Sequence, residues 1–390
     1  MAILSLCCFL SANAWVNPLL HLIAQSFPEI DETLIMQVST LPAFISMIFV
    51  MLAGAFVGKK IKFVSTMKLG LCLLAAGGIL PVLFRKSFAI LIASRVITGA
   101  GTGLIGIRNS LIIRSFNDPQ RTKVMGWVML ANSGFAVVAQ QLSGVIGAQS
   151  WNNSFLIYLT ALIPLALMSA WGPEPEVSNE ESSESLPKEK SNKIENRSKA
   201  YAAVIFVVMM STYPATMGMS SYMHTKALGD SALAGTVLAF GTLSGALVGL
   251  FYNKMQEKLG KYIWTLMFLC PVIGSICILS AQNAVMLILG MSLFGITSAT
   301  TTITMPRYIG GTAYPATMAL SISLSTAFGQ LGNYASSYWM KFCYFVFNKA
   351  ASGYVASLYM LILIGSIACV ISIVKDLRPN ELRKKKKNNK

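Results

Sequence analysis

The chain has 390 residues, 54% of them hydrophobic and only 12% charged. Soluble domains carry about 25% charged residues, so this composition, with a mean hydropathy of +0.61, excludes an ordinary soluble fold and points to the membrane. The formal net charge of +16 does not signal nucleic acid, because the basic residues sit in short segments between apolar stretches and in the tail "ELRKKKKNNK".

A membrane-spanning helix needs about 20 mostly apolar residues. Along the chain such stretches fall near 4–26, 33–57, 64–84, 88–112, 124–147 and 153–171, then near 200–223, 231–252, 262–281, 284–306, 316–346 and 352–374. The N-terminus has no basic region and no clear cleavage site, so the first stretch is expected to be a retained span. The predicted organisation is a six-span bundle over 1–171, a cytoplasmic linker over 172–199, a second six-span bundle over 200–376 and a basic cytoplasmic tail over 377–390. The linker holds seven of the fifteen acidic residues and no apolar periodicity, as a flexible, solvated connection should. With both termini cytoplasmic, 25 Lys and Arg fall inside and 5 outside, and that bias selects the orientation. The lysine tail then anchors the cytoplasmic side, near anionic lipid.

The two halves share landmarks. Pro18 and Pro214, Gly99 and Gly295, and Pro119 and Pro315 are each 196 residues apart, and Gly54 and Gly249 are 195 apart. "LIASRVITGAGTG" (91–103) aligns with "LILGMSLFGITSA" (287–299) at the same offset. Two parallel six-span repeats joined by a polar linker make a transporter architecture.

With these landmarks the chain resembles the major facilitator superfamily over essentially its whole length. The family's loop signature after span 2, Gly-x-x-x-Asp-Arg-x-Gly-Arg-Lys, is met by "GAFVGKKIKF", which keeps Gly54, Lys59 and Lys62 but has Gly58 in the acidic place. The second half offers "GLFYNKM", with Gly249 and Lys254 kept and Asn253 in the acidic place. Arg95 followed by Gly99 fits the span-4 signature, and "WNNSF" (151–155) looks like the aromatic entry to span 6. The resemblance implies an all-α membrane fold of two six-helix bundles related by a pseudo-two-fold axis, with these loops as gates. It also implies a latch between the loop carboxylate and basic residues, which Gly58 cannot supply. The span-5 signature of drug exporters, laid on Gly126, matches at only two of six positions, with Gln140 in place of its proline. In span 1 the chain has "PLLH" where many exporters have Pro-x-x-Pro.

Polar groups inside spans are the candidates for function, since facing lipid would leave them unsatisfied. On span 4, Arg95, Thr98, Gly99, Thr102, Gly106 and Asn109 fall on one helical face, opposite an oily one. Arg95 is expected either to face a watery cavity and attract an anionic group, or to snorkel outward while pinning nearby carbonyls. Span 1 carries Asn13, Asn17, His21 and Gln25 at intervals of four; span 5 adds Gln140, span 10 Ser298 and Thr302, and span 11 Gln330. The substrate-binding candidates are thus Arg95, Thr98, Thr102, Asn13, Asn17, His21, Gln140, Ser298, Thr302 and Gln330. No acidic residue lies deep in a span, so the proton-coupling candidates are His21, Asp31 and Arg95.

The seven cysteines show no CxxC or Cys/His spacing and read as small buried hydrophobes, so neither a metal nor a cofactor is expected. Two histidines and no Gly-rich phosphate loop leave a membrane enzyme without its parts. The expectation is a monomeric secondary transporter in the cell membrane, a bacterial plasma membrane. It would move a small organic solute, anionic or amphipathic, by alternating access, with protons and membrane lipids as further partners. Multidrug efflux by drug/proton antiport is the second reading, and a non-transporting membrane sensor the third.

Overall fold

In hydrocarbon every backbone N–H and C=O needs an internal partner, so apolar stretches of this length fold as helices. A computed structural model describes residues 2–57, 61–108, 111–112, 118–172, 174, 195–310, 318–347 and 352–375. Most of the predicted linker and all of the tail (377–390) lie outside the described residues.

We number twelve helices. The first, α1, is irregular, running through Ala2–Cys7, a 3-10 stretch Ala12–Leu19 and Leu20–Ser26. It is followed by α2 (Glu32–Phe56), α3 (Phe63–Leu83), α4 (Phe88–Ile105) and α5 (Asp118–Gln149). Helix α6 spans Trp151–Trp171 and opens with a 3-10 stretch to Ala161. Helix α7 comes in three pieces, Asn196–Thr212, Pro214–Met217 and Met219–Thr225. The rest are α8 (Ser231–Leu259), α9 (Ile263–Leu279), α10 (Ala284–Gly310), α11 (Met318–Val346) and α12 (Gly353–Val374). No strand occurs among the described residues.

By length and composition, ten segments qualify as membrane spans, and one of them, Ser231–Leu279, contains both α8 and α9, divided at Gly260 with φ of 55°. Helix α11 is not among the ten; its 29 residues reach about 43 Å at 1.5 Å per residue, ample to cross, but its sequence is more polar. These two facts reconcile ten segments with the twelve expected.

In the first half α4 packs between α2 and α3, and in the second α10 packs between α8 and α9. Close approach at small residues holds both arrangements together, as is usual in membranes. A Cβ on Gly99 would lie 2.7 Å from the Pro42 carbonyl oxygen of α2, and one on Gly295 would collide with the Gly241 carbonyl of α8. The 196-residue offset therefore has a physical content: the same glycine seats the same helix against its counterpart in each repeat. Across the halves, α5 packs on α8 and α2 on α11.

Candidate functional site

Proline lacks an N–H and frees the carbonyl one turn before it. Pro18 sits within the 3-10 stretch of α1, and Pro214 follows the first break of α7. The two interruptions meet at the interface between halves. Ser220 Oγ of α7 donates to the Pro18 carbonyl at 2.8 Å, satisfying it from the opposite half. Ser39 Oγ of α2 donates to Asn17 Oδ1, and lies 3.1 Å from Tyr213 Oη. Asn17 is thus brought to the junction as a binding candidate should be. Ser39 and Tyr213 were not anticipated; the residue before Pro214 was the available signal.

Arg95 is fully buried, and each of its three guanidinium nitrogens donates inside the first half. Its Nε donates to the Val38 carbonyl at 2.8 Å, Nη1 to Tyr158 Oη at 3.0 Å and Nη2 to the Asn13 carbonyl at 3.2 Å. Val38 is one turn before Pro42 in α2, so its carbonyl has lost its helical N–H. Asn13 and Ala12 belong to the 3-10 stretch of α1, and Tyr158 Oη donates to the Ala12 carbonyl at 2.7 Å. The guanidinium carbon also lies 5.6 Å from the Tyr158 ring centre and 5.9 Å from that of Phe155. The expectation of a cation on a wet wall is corrected here: Arg95 faces protein, neither crevice nor outer surface. Of the earlier alternatives only the carbonyl pinning is realised, and without snorkelling.

Thr98 and Thr102 are buried beside Arg95 and bond back to α4 carbonyls; Thr102 Oγ1 also reaches Asn13 Oδ1 at 3.5 Å. Gln140, buried on α5, accepts from Thr242 of α8 at 3.0 Å, and Gln141 accepts from Thr236 at 2.8 Å. These amides therefore stitch the two halves together. Ser298 and Thr302 are exposed on α10, and Thr302 bonds back to the Ser298 carbonyl at 2.9 Å. On α11, Gln330 accepts from Asn333 at 3.3 Å, while Asn333 Oδ1 is buried with no partner among the described residues. Next to them the Tyr334 ring stacks on Phe44 of α2, with centres 4.8 Å apart.

At the end of the molecule opposite the chain termini, the far end, side chains of the two halves meet. Gln37 Nε2 donates to Tyr338 Oη at 2.7 Å, and the Lys341 ammonium is 3.7 Å from the Asp31 carboxylate. His21 of α1 stacks on His224 of α7 with ring centres 3.9 Å apart. Asp31 also caps α2 by accepting from the Thr33 N–H. Hydrogen bonding from Thr33, and then the Lys341 charge, hold its carboxyl below the usual carboxylate range. Beside this contact a cavity of about 340 Å³ is lined by Asp31, Glu32, Met36, Ser337, Lys341 and Tyr344, among others.

At the terminal end, Lys59 lies outside the described residues. Lys62 is exposed at the start of α3, Gly54 has nothing near it, and Gly249 and Lys254 are likewise unconstrained apart from Met129 near Gly249. The α3 N-terminus is instead capped by Glu174, whose carboxylate accepts from the Phe63 and Val64 N–H groups at 2.7 and 2.9 Å. In the second half Arg307 of α10 donates to Gln256 and, at 3.5 Å, to Asn253, so an amide stands where the loop signature would place a carboxylate.

The family model of the Major Facilitator Superfamily matches residues 1–337. Among solved structures, the fold is similar to a point mutant of the nucleoside transporter NupG, at 11% identity and a TM-score of 0.75, covering 96% of this chain and 98% of that one. It is similar also to the peptide transporter POT in complex with sulfate, at 14% identity and a TM-score of 0.75, covering 97% and 94%. The human organic anion transporter MFSD10 (TETRAN) gives 15% identity and a TM-score of 0.67, covering 95% and 97%. No curated relative matches the sequence significantly. The chain belongs to the Major Facilitator Superfamily: it is an all-α, multi-pass membrane transporter rather than an enzyme.

Proposed function

We propose that this transporter moves a small, amphipathic organic solute between its two six-helix halves by alternating access. The observation that carries this reading is the meeting of two proline-broken helices, α1 and α7, at equivalent positions of the repeat. Interrupted helices of this kind are the best pointer to a transporter's binding site, because freed carbonyls and polar side chains there must find partners. Asn17, Ser39 and Tyr213 line the junction, with Gln140, Asn333 and Tyr334 on the flanking helices. These groups are neutral hydrogen-bonding or aromatic side chains. With Arg95 enclosed, the earlier reason for favouring an anion falls away, and a solute with donors, acceptors and a flat apolar face suits the junction better. The named nucleoside, peptide and organic anion transporters of similar fold define the chemistry to screen. Proton coupling, if it operates, runs through His21 or Asp31 at the far end. The lysine bias supports a cell-membrane orientation with cytoplasmic termini, and so an external far end.

The test is solute uptake by the purified protein in liposomes, with nucleosides, short peptides, organic anions and lipophilic cations, with and without an inward proton gradient. Saturable uptake of at least one of the first three classes, lowered by Asn17→Ala or Tyr213→Phe, is expected. Flux of lipophilic cations alone, in exchange for protons, would overturn the reading in favour of efflux. No saturable flux of any class would remove it.

A further inference from the structure

The chain has two histidines, 203 positions apart, and the fold puts them face to face. His21 comes from the last piece of α1 and His224 from the last piece of α7, so each half contributes one ring. The rings are stacked, with centres 3.9 Å apart and planes 28° apart. His224 is exposed, whereas His21 is half-buried, with its Nε2 enclosed and no hydrogen-bond partner among the described residues.

We propose that this pair is a proton-binding latch: neutral, it holds the far end of the two halves together, and doubly protonated, it pushes them apart. Stacking suits two neutral imidazoles, and tolerates one imidazolium over one neutral ring. Two cations at this separation repel, and the repulsion is relieved only if α1 and α7 separate. The separated state then takes up more protons than the closed one, so acid on the far side favours opening there. A free imidazole titrates near pH 6.5, inside the range a cell surface meets.

Other charged groups lie at the same end. The helices packed on these two pieces are α2, α8 and the 3-10 stretch of α1. Their charged or titratable groups at this end are Asp31 and Glu32 at the start of α2 and Asp230 capping α8, with Lys226 just beyond α7 and Lys341 on α11 facing Asp31. Tyr222, on the same piece of α7 as His224, is committed to the Ile278 carbonyl. The Thr33 hydrogen bond and the Lys341 charge both favour the ionised form of the Asp31 carboxyl.

The proposal rests on the alternating-access reading but needs no substrate to test. Nitroxides are attached through a ketone-bearing residue placed at the exposed positions Glu29 and Lys226, one in each half, and their distance is measured by pulsed electron resonance in nanodiscs. Going from about pH 7.5 to about pH 5, the population with the longer distance should rise roughly threefold or more. His21→Gln and His224→Gln should each abolish that rise, and Glu32→Gln, at the neighbouring carboxyl, should leave it intact. An unchanged wild-type distribution overturns the proposal whether or not the variants fold. So does a rise that survives in the histidine variants or vanishes in Glu32→Gln. Solute flux that persists with a pH-independent distance distribution would refute the latch and leave the transport reading standing.

Discussion

Arg95 gives the first half of the protein its shape by bonding carbonyls that other residues set free. Pro42 removes the donor for Val38, the 3-10 stretch loosens Ala12 and Asn13, and Arg95 with Tyr158 takes up three of those oxygens. A buried carbonyl left without a donor costs about 1–3 kcal/mol. Arg95→Ala should therefore lower the melting temperature of the detergent-solubilised protein, and Arg95→Lys, with a point charge and no fork, should recover only part of the loss. An unchanged melting curve for Arg95→Ala would refute this role. The partnership also predicts coupling. Pro42→Ala restores an N–H to α2 that competes for Val38, so the Arg95→Ala and Pro42→Ala costs should fail to add, by roughly 0.5–3 kcal/mol. Strict additivity in the double mutant would show that Val38 is not the shared partner.

Helix α4 and its counterpart α10 show what a sequence reveals about elements and what it withholds. The oily and small-residue faces of α4 were legible from spacing, and the 196-residue offset located Gly295 from Gly99. The acceptors of Arg95 were not legible, because they are main-chain atoms that every residue owns; only the remote Pro42 marked one of them, 53 positions away in sequence. Tyr213 and Ser39 were hidden for a similar reason, a tyrosine and a serine being unremarkable until α1, α2 and α7 meet. Helix α11 was expected as a span; it is long enough for one, but its polarity keeps it out of the apolar set. Overpacking costs typically about 1–3 kcal/mol. Gly99→Ala and Gly295→Ala should each destabilise by that order in thermal melts, since each inserts a methyl into a backbone contact. Gly54→Ala, with nothing within 4 Å, should be close to neutral. Equal effects at all three positions would contradict the account of the repeat.

At the scale of the whole molecule, α5 lies on α8 and α2 on α11, and at the far end the two histidines, Gln37 with Tyr338, and Asp31 with Lys341 join the halves. The exposed ion pair contributes little by itself, as pairs in water do; closure comes from helix packing, with the polar contacts setting register. The helical membrane fold and the class of protein were readable from hydropathy and landmark spacing, because the bilayer imposes such patterns on any such chain. Which polar groups face the path was not, since that depends on how the halves meet. The central claim, that the halves part and rejoin around the α1–α7 junction to carry a solute, is most directly tested by tying the far end shut. In a protein whose seven native cysteines are replaced by serine or alanine, cysteines at Asp31 and Lys341, joined by a short thiol-reactive cross-linker that a reductant removes, should abolish saturable uptake into liposomes, and reduction should restore it, while the single-cysteine proteins treated alike keep theirs. Undiminished uptake through fully cross-linked protein would contradict the account.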